Sequence, residues 1–274
     1  MKGKLYIVAT PIGNLEDITL RALNILKSVD LIAAEDTRHT LKLLNYYEIT
    51  KPLISYHRHN EDTKKDILIE KLKNGENIAL VSDAGTPGIC DPGEAVIKQA
   101  IDENIDIIPI PGACAFVNAL IGSGIETNEF TFLGFLPLNK KLRREKLKEI
   151  KESNKTTIIY EAPHKLKNTM VDLQKILENR KIVLARELTK IHEEFIRGTV
   201  TDIAEKLDEL KGEFVIVIEK NKNKLEDNNE LINLSLEEHY SYYEKQGYSK
   251  NEIIKRIAKD RKVSKNEIYM HYVS

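Results

Sequence analysis

The feature that most constrains the fold is a regular alternation of short, β-branched apolar runs with segments of helical periodicity. In the first part of the chain, strands are predicted at residues 5–9, 31–34, 53–55, 78–81 and 105–110. In the second part, strands are predicted at residues 130–135, 156–160, 181–186, 192–197 and 214–219. Helical patterns fill the gaps, the last of them at 201–210. This alternation is typical of an α/β fold built on mainly parallel sheets.

Changes in composition predict the domain boundaries. An N-terminal α/β domain covers residues 1–112 and ends in a Pro/Gly-rich segment, and a second α/β domain covers 113–221. Residues 222–234 are polar and rich in Asn and Lys, which indicates a linker. Residues 235–274 predict a compact three-helix unit, in which Ser249 and Ser264 cap helices together with Glu252 and Glu267.

The charge balance limits the classes of function. Lys and Arg number 42 against 43 Asp and Glu, which excludes a globally basic nucleic-acid binder but allows local basic patches. No apolar run approaches the roughly 20 residues of a membrane span, and the N-terminus lacks a signal-peptide core, so we expect a cytoplasmic protein. Cys90 and Cys114 are too few for a disulfide framework or a zinc site, and we expect small buried side chains and no metal.

Gly, Pro or polar functional groups follow nearly every predicted strand. Because ligands of open α/β sheets gather at the carboxyl ends of strands, these residues predict one site. The densest group is the loop "SDAGTPGICDPG" at 82–93, which holds two aspartates and no Lys or Arg. Neither a phosphate-binding Walker loop nor a G-x-G-x-x-G turn is present, which excludes an NTP-using enzyme. The acids favour a cationic or zwitterionic ligand, with Asp83 as its anchor and Asp91 as a residue that shapes the turn into the next helix.

A series of ordered blocks resembles the tetrapyrrole methylase superfamily. The blocks are "GKLYIVATPIGNLEDIT", "AEDTR", "SYHRHNE", "LVSDAGTPGICDPG", "IPIPGACA", "FLGFLP", "YEAPHKL" and "ARELTKIHEEFIRGT". They are most similar to the branch that methylates the ribose 2′-oxygen of a decoding-centre cytidine in 16S rRNA. The resemblance implies two α/β domains with S-adenosylmethionine (SAM) in the cleft between them, a homodimer, and a small C-terminal helix-turn-helix-like domain. It also implies 16S rRNA of the small ribosomal subunit as the partner.

The resemblance also implies which residues hold the donor. By family position these are Pro11, Asp83, Ala84, Gly85, Thr86, Ala113, Ala115, Tyr160, Ala162, Leu188 and Thr189. The sequence departs from the usual pattern where Cys90 and Ala162 replace serine and where Lys165 replaces arginine. Lysine cannot make the forked contact of a guanidinium, so we expect no bidentate contact at Lys165.

Methyl transfer from a sulfonium is an in-line displacement that depends on alignment, and a hydroxyl nucleophile gains from a nearby base. The catalytic candidates are Glu35, His57, Glu187 and Lys190. Lys190 is the first choice near the reacting hydroxyl, but as a base it needs a lowered pKa. The alternatives are ordinary: Asp36, beside Glu35, is equally suited to cap the next helix, and His57 to be a plain loop residue.

RNA contacts are predicted from local clusters of positive charge. One candidate is Arg38. Four belong to the basic segment at 139–151, namely Lys140, Lys141, Arg143 and Arg144, and three belong to the C-terminal unit, namely Lys255, Arg256 and Lys259. Charge runs are usually solvated helix faces, and that alternative stays open here. Two further functions also remain: methylation of a tetrapyrrole precursor, and a non-catalytic RNA-binding assembly factor.

Overall fold

The computed structural model describes residues 1–177, 179–205, 212–221, 231–261 and 263–273. The chain forms two compact units, one of Met1–Leu147 with Thr156–Glu219, and one of Lys148–Lys155 with Lys220–Ser274. Both sheets belong to the first unit. The boundary predicted between residues 112 and 113 falls within that unit and stays a prediction. Of the predicted linker, residues 222–230 lie outside the described residues.

The first sheet is entirely parallel, as predicted. Its strands are β1 (Leu5–Val8), β2 (Leu31–Ala34), β3 (Leu53–Ser55), β4 (Ile78–Val81) and β5 (Ile107–Ile110), in the order β3-β2-β4-β1-β5. Helices α1 (Leu20–Ser28), α2 (Thr37–Tyr46), α3 (Glu61–Lys73) and α4 (Glu94–Asp102) connect them, with a 3₁₀ turn at Leu15–Asp17. Every position of β2 and β4 is buried, since apolar clusters cover both faces of the sheet. All five strands therefore end at one edge.

The second sheet is mainly antiparallel, and the expectation of a mainly parallel sheet is wrong here. After helix α5 (Ala115–Ser123), its strands are β6 (Phe130–Phe135), β7 (Thr156–Glu161), β8 (Lys181–Arg186), β9 (Glu194–Thr199) and β10 (Phe214–Ile218). Their order is β6-β7-β10-β8-β9, and β6 with β7 is the parallel pair in this described sheet. The connection 187–193 between β8 and β9 is too short for a parallel crossover, which takes about a dozen residues or more.

Three helices complete the first unit: α6 (Lys140–Glu152), which continues into the second unit, α7 (Pro163–Leu177) and α8 (Val200–Ala204). The helix predicted at 201–210 corresponds to α8 in its first part, and positions 206–211 lie outside the described residues. The strand predicted at 192–197 is displaced to Glu194–Thr199. A turn causes the displacement, because the N–H of Glu193 donates to the carbonyl of Lys190 at 3.0 Å.

The second unit contains the predicted helices α9 (Leu236–Glu244), α10 (Lys250–Asp260) and α11 (Lys265–Val273). Their apolar side chains form one cluster that includes Ile253, Ile254, Ile257 and Ile268. Both predicted capping pairs are present: the N–H groups of Ser249 and Ser264 donate to Glu252 and Glu267 at 3.0 and 2.9 Å. Within the described residues, no helix is long and apolar enough to cross a membrane.

Candidate functional site

The loops after β1 and β4 are locked to each other at the carboxyl edge of the first sheet. The N–H of Thr10 donates to the carbonyl of Gly85 at 2.9 Å, and the N–H of Gly85 donates back at 3.0 Å. The hydroxyl of Thr10 donates to the carbonyl of Ser82 at 3.2 Å. Gly85 has a φ of +79°, a conformation that favours glycine. The loop predicted to hold a ligand is therefore fixed in place by backbone hydrogen bonds.

Asp83 connects the ends of β4 and β2. Its Oδ1 accepts from the N–H of Asp36 at 3.0 Å, and its own N–H donates to Oε2 of Glu35 at 3.4 Å. Asp36 in turn caps α2, because its Oδ1 accepts from the N–H of Arg38 at 2.8 Å. The hydrogen bond to the Arg38 side chain holds the pKa of Asp36 well below its usual range. The capping role considered for Asp36 is confirmed.

A cavity of about 450 Å³ opens beside these loops. Its wall on the first sheet is formed by Ile12, Glu35, Asp83, Ala84, Gly85, Thr86, Ile89, Cys90 and Asp91. Its remaining wall is formed by Cys114, Ala115, Phe135, Tyr160, Glu161, Ala162, Pro163, Ala185, Leu188, Glu213, Phe214 and Val215. Among these residues every charged side chain is acidic. The cavity is therefore suited to a cationic ligand and repels phosphate.

Two carboxyl groups of this wall have perturbed protonation. Burial raises the pKa of Glu35, and the charge of Asp83 adds to the effect. Burial also raises the pKa of Asp91 to about 6, with a further contribution from the charge of Glu35. Carboxyl groups with pKa values shifted toward neutrality are typical of sites that transfer protons or bind cations.

Tyr160 and Glu161 organise the opposite wall. The phenol oxygen of Tyr160 accepts from the N–H of Phe116 at 3.2 Å, and burial raises the pKa of that phenol. Glu161 is 4% exposed, and its Oε1 accepts from the N–H of Ala162 at 2.9 Å. Its Oε2 accepts from the Thr169 hydroxyl, which itself accepts from Nη2 of Arg143 at 2.8 Å. The cavity wall is thus tied to the first turn of α6.

The loop at residues 82–93, which we call the acidic loop, touches β6 at one point. Cys90 has a φ of +67°, and its Sγ would lie 2.9 Å from a Cβ placed on Gly134. Gly134 itself has a φ of +62°. The backbone carbonyl of Cys90 accepts a hydrogen bond from the Arg58 guanidinium. Glycine at position 134 is therefore required both by the backbone conformation and by the approach of the Cys90 sulfur.

The β8–β9 loop holds strained backbone next to the cavity. Glu187 and Thr189 have φ values of +49° and +65°, a backbone conformation that residues other than glycine rarely adopt. Nζ of Lys190 lies 3.1 Å from carboxylate oxygens of both Glu187 and Glu213. Burial lowers the pKa of Lys190, but the hydrogen bonds to these two glutamates outweigh it and raise the pKa overall. Lys190 therefore lacks the lowered pKa that a base at this position requires, and its prediction as the base is contradicted.

The tetrapyrrole (corrin/porphyrin) methylase family model matches residues 4–204 of the chain. The chain belongs to this family. A ribosomal RNA small subunit methyltransferase I from Halalkalibacterium halodurans is 50% identical over 274 residues, covering 99% of the chain and 95% of that protein. The protein of the same name from Bacillus subtilis is 48% identical, covering 98% of the chain and 94% of that protein.

A solved tetrapyrrole methylase shares the fold of this chain. The uroporphyrin-III C-methyltransferase from Thermus thermophilus, in complex with S-adenosyl homocysteine, aligns with a TM-score of 0.57 at 13% identity. The alignment covers 79% of the chain and 97% of that protein. The fold and the enzyme class predicted from the sequence are confirmed: the chain is a SAM-dependent methyltransferase of the tetrapyrrole methylase family.

Most of the residues predicted to hold the donor of this methylase line the cavity. They are Asp83, Ala84, Gly85, Thr86, Ala115, Tyr160, Ala162 and Leu188. Pro11 does not line it, although its neighbour Ile12 does. Ala113 and Thr189 line a second pocket, which shares Leu188 with the first, and the carbonyl of Ala113 accepts from the Thr86 hydroxyl at 3.2 Å.

Of the catalytic candidates, Glu35 lines the cavity, whereas His57, Glu187 and Lys190 do not. The backbone N–H of His57 donates to Oδ1 of Asn60 at 2.8 Å, as expected of a loop residue. Glu187 accepts from the N–H of Glu213 at 3.0 Å, a bond that holds two loops together. The described residues include no group of three or more His, Cys, Asp or Glu side chains arranged to hold a metal ion.

The predicted RNA-contact residues differ in their surroundings. Lys140, Lys141, Arg144, Lys255 and Lys259 are exposed, and the Arg38 side chain is 88% exposed beside Asp36. Arg143 is instead bound to Asp172 at 2.8 Å with 18% of its side chain exposed, so its prediction as a phosphate contact is replaced by a structural role. The guanidinium of Arg256 stands 3.9 Å from the ring centre of Tyr248.

Asp91 and Phe135 are cavity residues that the sequence reasoning missed. Asp91 was expected to shape the turn into the next helix, but Gly93 is the N-cap of α4 and Asp91 lines the cavity. The signal for Asp91 was its place in the same acidic loop as Asp83. Phe135 had a weaker signal, the "GF" step at the end of a predicted strand. Cys90 and Cys114 are half-buried and line the same cavity.

Proposed function

We propose that this methyltransferase transfers a methyl group from SAM to the ribose 2′-oxygen of a cytidine in 16S rRNA of the small ribosomal subunit. The observation that carries the proposal is the acidic cavity at the strand ends, whose charged lining residues are all carboxylates. The near full-length relatives named ribosomal RNA small subunit methyltransferase I support rRNA as the acceptor.

The residues of the cavity fit the donor. When bound, SAM supplies an electrophilic methyl group on a cationic sulfur. Asp83, Glu35 and Asp91 favour that charge, and Ala84 and Thr86, on either side of the paired Gly85, bring backbone groups to the cavity for the polar ends of the donor. The cavity volume of about 450 Å³ lies within the range of small-molecule sites.

Glu35 is the proton acceptor in this proposal, because it is the catalytic candidate that lines the cavity. Its raised pKa brings the carboxylate nearer in basicity to the working pH. As the 2′-oxygen bonds to the methyl carbon, its O–H bond breaks and the proton passes to Glu35. The sulfur–methyl bond breaks and leaves a neutral thioether. Tyr160, whose phenol oxygen accepts from the N–H of Phe116, orients the wall opposite.

Phosphate contacts are assigned outside the cavity. Lys140, Lys141 and Arg144 are exposed in the first turns of α6, the element that follows β6. Lys255 and Lys259 are exposed on α10 in the second unit. Replacing these two lysines with glutamate should weaken binding to small subunits and flatten its salt dependence, while the Kd for SAM stays unchanged. Equal loss of SAM binding would contradict this assignment.

The deciding experiment is methylation of small ribosomal subunits taken from a strain that lacks this gene. Transfer of label from SAM, followed by mass mapping, should place one methyl group on a ribose. Glu35→Gln should lower kcat by about 10²- to 10⁴-fold, while the matched surface variant Glu94→Gln keeps wild-type activity. A methylated base would refute the 2′-oxygen assignment.

The same assay separates the two alternatives. Uroporphyrinogen in place of subunits tests the tetrapyrrole substrate that solved members of the fold family use. Calorimetry with SAM tests the non-catalytic assembly factor, which would bind subunits without binding the donor. The homodimer and the cytoplasmic location expected from the sequence are retained as parts of the proposal.

A further inference from the structure

Phe135 is a large aromatic side chain that remains open to solvent at the cavity. It lines the cavity, yet 55% of its surface is exposed. An aromatic ring normally stabilises a fold by being buried, and an exposed ring at a cavity offers a flat apolar surface to a ligand. The proton transfer assigned to Glu35 makes no use of this ring.

A β-bulge directs Phe135 toward the cavity. The pairing of β6 with β7 is regular from Phe130 to Phe132 and shifts register before Phe135, which pairs with Tyr160. Gly134 accommodates the shift with its φ of +62°. Bulges commonly re-aim a side chain beside an active site. The exposed position of Phe135 is therefore built into the strand and does not result from a loose chain end.

The ring of Phe135 is held at one edge. It meets Tyr160 edge-to-face, with 5.5 Å between ring centroids and 62° between their planes. The phenol oxygen of Tyr160 is itself fixed by the N–H of Phe116. A ring held in this way loses little conformational entropy when a second flat group packs on it.

Ile89 provides a second apolar surface at the same cavity. It is 40% exposed and belongs to the acidic loop, in which the next residue, Cys90, touches Gly134. Phe135 and Ile89 thus belong to two segments that meet, and both present apolar surface to one opening. We call these two residues the apolar rim.

Charge determines which part of an RNA can reach the apolar rim. The cavity is lined by carboxylates, which repel phosphate, whereas Lys140, Lys141 and Arg144 are exposed directly after the strand that carries Phe135. Phosphates therefore stay outside on α6, and the uncharged nucleoside enters. A nucleoside presents a flat base, and the apolar rim presents a flat ring.

We propose that Phe135, with Ile89 at the same cavity, is the platform on which the base of the target nucleotide stacks, out of line with its neighbours, while its ribose enters the cavity. The inference rests on the proposed function and adds how the acceptor is held. Enzymes that act on a nucleotide inside folded nucleic acid commonly extrude it and stack its base on aromatic or apolar side chains.

The test compares Phe135→Ala, Phe135→Leu and Phe135→Trp on small ribosomal subunits. We expect kcat/KM for subunits to fall roughly 5- to 150-fold in the first two variants, the range that base–aromatic stacking supports. Phe135→Leu keeps apolar volume and guards against misfolding of the alanine variant. Phe135→Trp retains a stacking face and should keep at least half of the wild-type value. The Kd for SAM should change less than twofold in all three.

Phe130→Ala is the matched control, because it removes the same side chain from the same strand at a position that does not line the cavity. Its kcat/KM should stay within twofold of wild type. Sedimentation should show the wild-type oligomeric state for every variant.

Four results would overturn the inference. They are an alanine variant as active as wild type, a tryptophan variant as poor as alanine, a matching loss of SAM affinity, and a changed oligomeric state, which would assign the rim to a second copy of the chain. A wild-type enzyme that methylates no rRNA would instead refute the proposed function, so the two failures are distinguishable.

Discussion

Replacing Asp91 with asparagine should make the protein more stable at neutral pH and less active. Asparagine has nearly the same shape but no charge. Burial and the neighbouring charge of Glu35 raise the pKa of Asp91 from 3.8 to about 6, so ionising this carboxyl costs more in the folded protein than in the unfolded chain. A difference of about 2 pKa units corresponds to about 3 kcal/mol, which we reduce to about 1–2 kcal/mol because the cavity is open to solvent.

The sign follows from proton linkage. An acid whose folded pKa is raised binds its proton more tightly in the folded state, so it destabilises the fold as pH rises from 3.8 toward 6. The penalty is complete above that window and absent below it. The free energy of unfolding of Asp91→Asn should therefore exceed that of wild type by about 1–2 kcal/mol at pH 7.5, by about half as much at pH 5, and hardly at all below pH 4.

Thermal unfolding followed by circular dichroism measures the effect. A gain of about 1–2 kcal/mol corresponds to a rise in Tm of about 2–8 °C for a unit of this size. Asp106→Asn is the control for net charge, since the Asp106 side chain is 74% exposed and forms a weak surface pair with Lys4. A rise in Tm that is the same at pH 5 and pH 7.5 would refute the electrostatic reasoning, because packing of the amide would then explain it. No rise at either pH would refute the burial of the charge.

Three further outcomes follow from the cavity and its walls. The affinity for cationic SAM should rise several-fold between pH 5 and pH 7.5, because cavity carboxyl groups such as Asp91 ionise in that range. The affinity for S-adenosyl homocysteine, which lacks the sulfonium charge, should not rise. Calorimetry that finds the same change of affinity with pH for both ligands would contradict the electrostatic role. Thr169→Val leaves Glu161 without its hydroxyl donor and should cost about 1–3 kcal/mol in urea unfolding, while Thr169→Ser should cost far less. Gly134→Ala should cost at least about 1–2 kcal/mol from its positive φ, and adding Cys90→Ala should recover the steric part only; full recovery would mean that the backbone conformation imposes no cost.

The sequence predicted well those features that depend on residues close together in the chain, such as helix caps. The helix caps at Asp36 and Ser249 are set by residues within one turn, so their patterns can be read directly from the chain. The position of the loop after β4 beside the cavity was also predictable, because parallel strands place their carboxyl ends together. These predictions depend on few residues that are close in sequence.

Partners distant in sequence determined what the sequence could not predict. The raised pKa of Lys190 depends in part on Glu213, which lies just before β10 and is distant in sequence. The outward position of Phe135 depends on a bulge at Gly134 that accommodates the Cys90 sulfur. The direction of the strands in the second sheet could not be predicted from the sequence either, because an apolar run indicates that a strand is buried but not whether its neighbours run parallel to it.

The contact between Cys90 and Gly134 has a consequence for kinetics. The loop that begins at Asp83 and the strand that ends at Phe135 meet there, so a donor packed on the fixed loop would complete the cavity wall beside Phe135. We therefore expect an ordered mechanism, in which the donor binds before the nucleic acid and the demethylated donor leaves last. Product inhibition would show it: S-adenosyl homocysteine should compete with SAM but act as a noncompetitive inhibitor toward ribosomal subunits. A random order would mean that the nucleic acid binds beside Phe135 whether or not the donor is present.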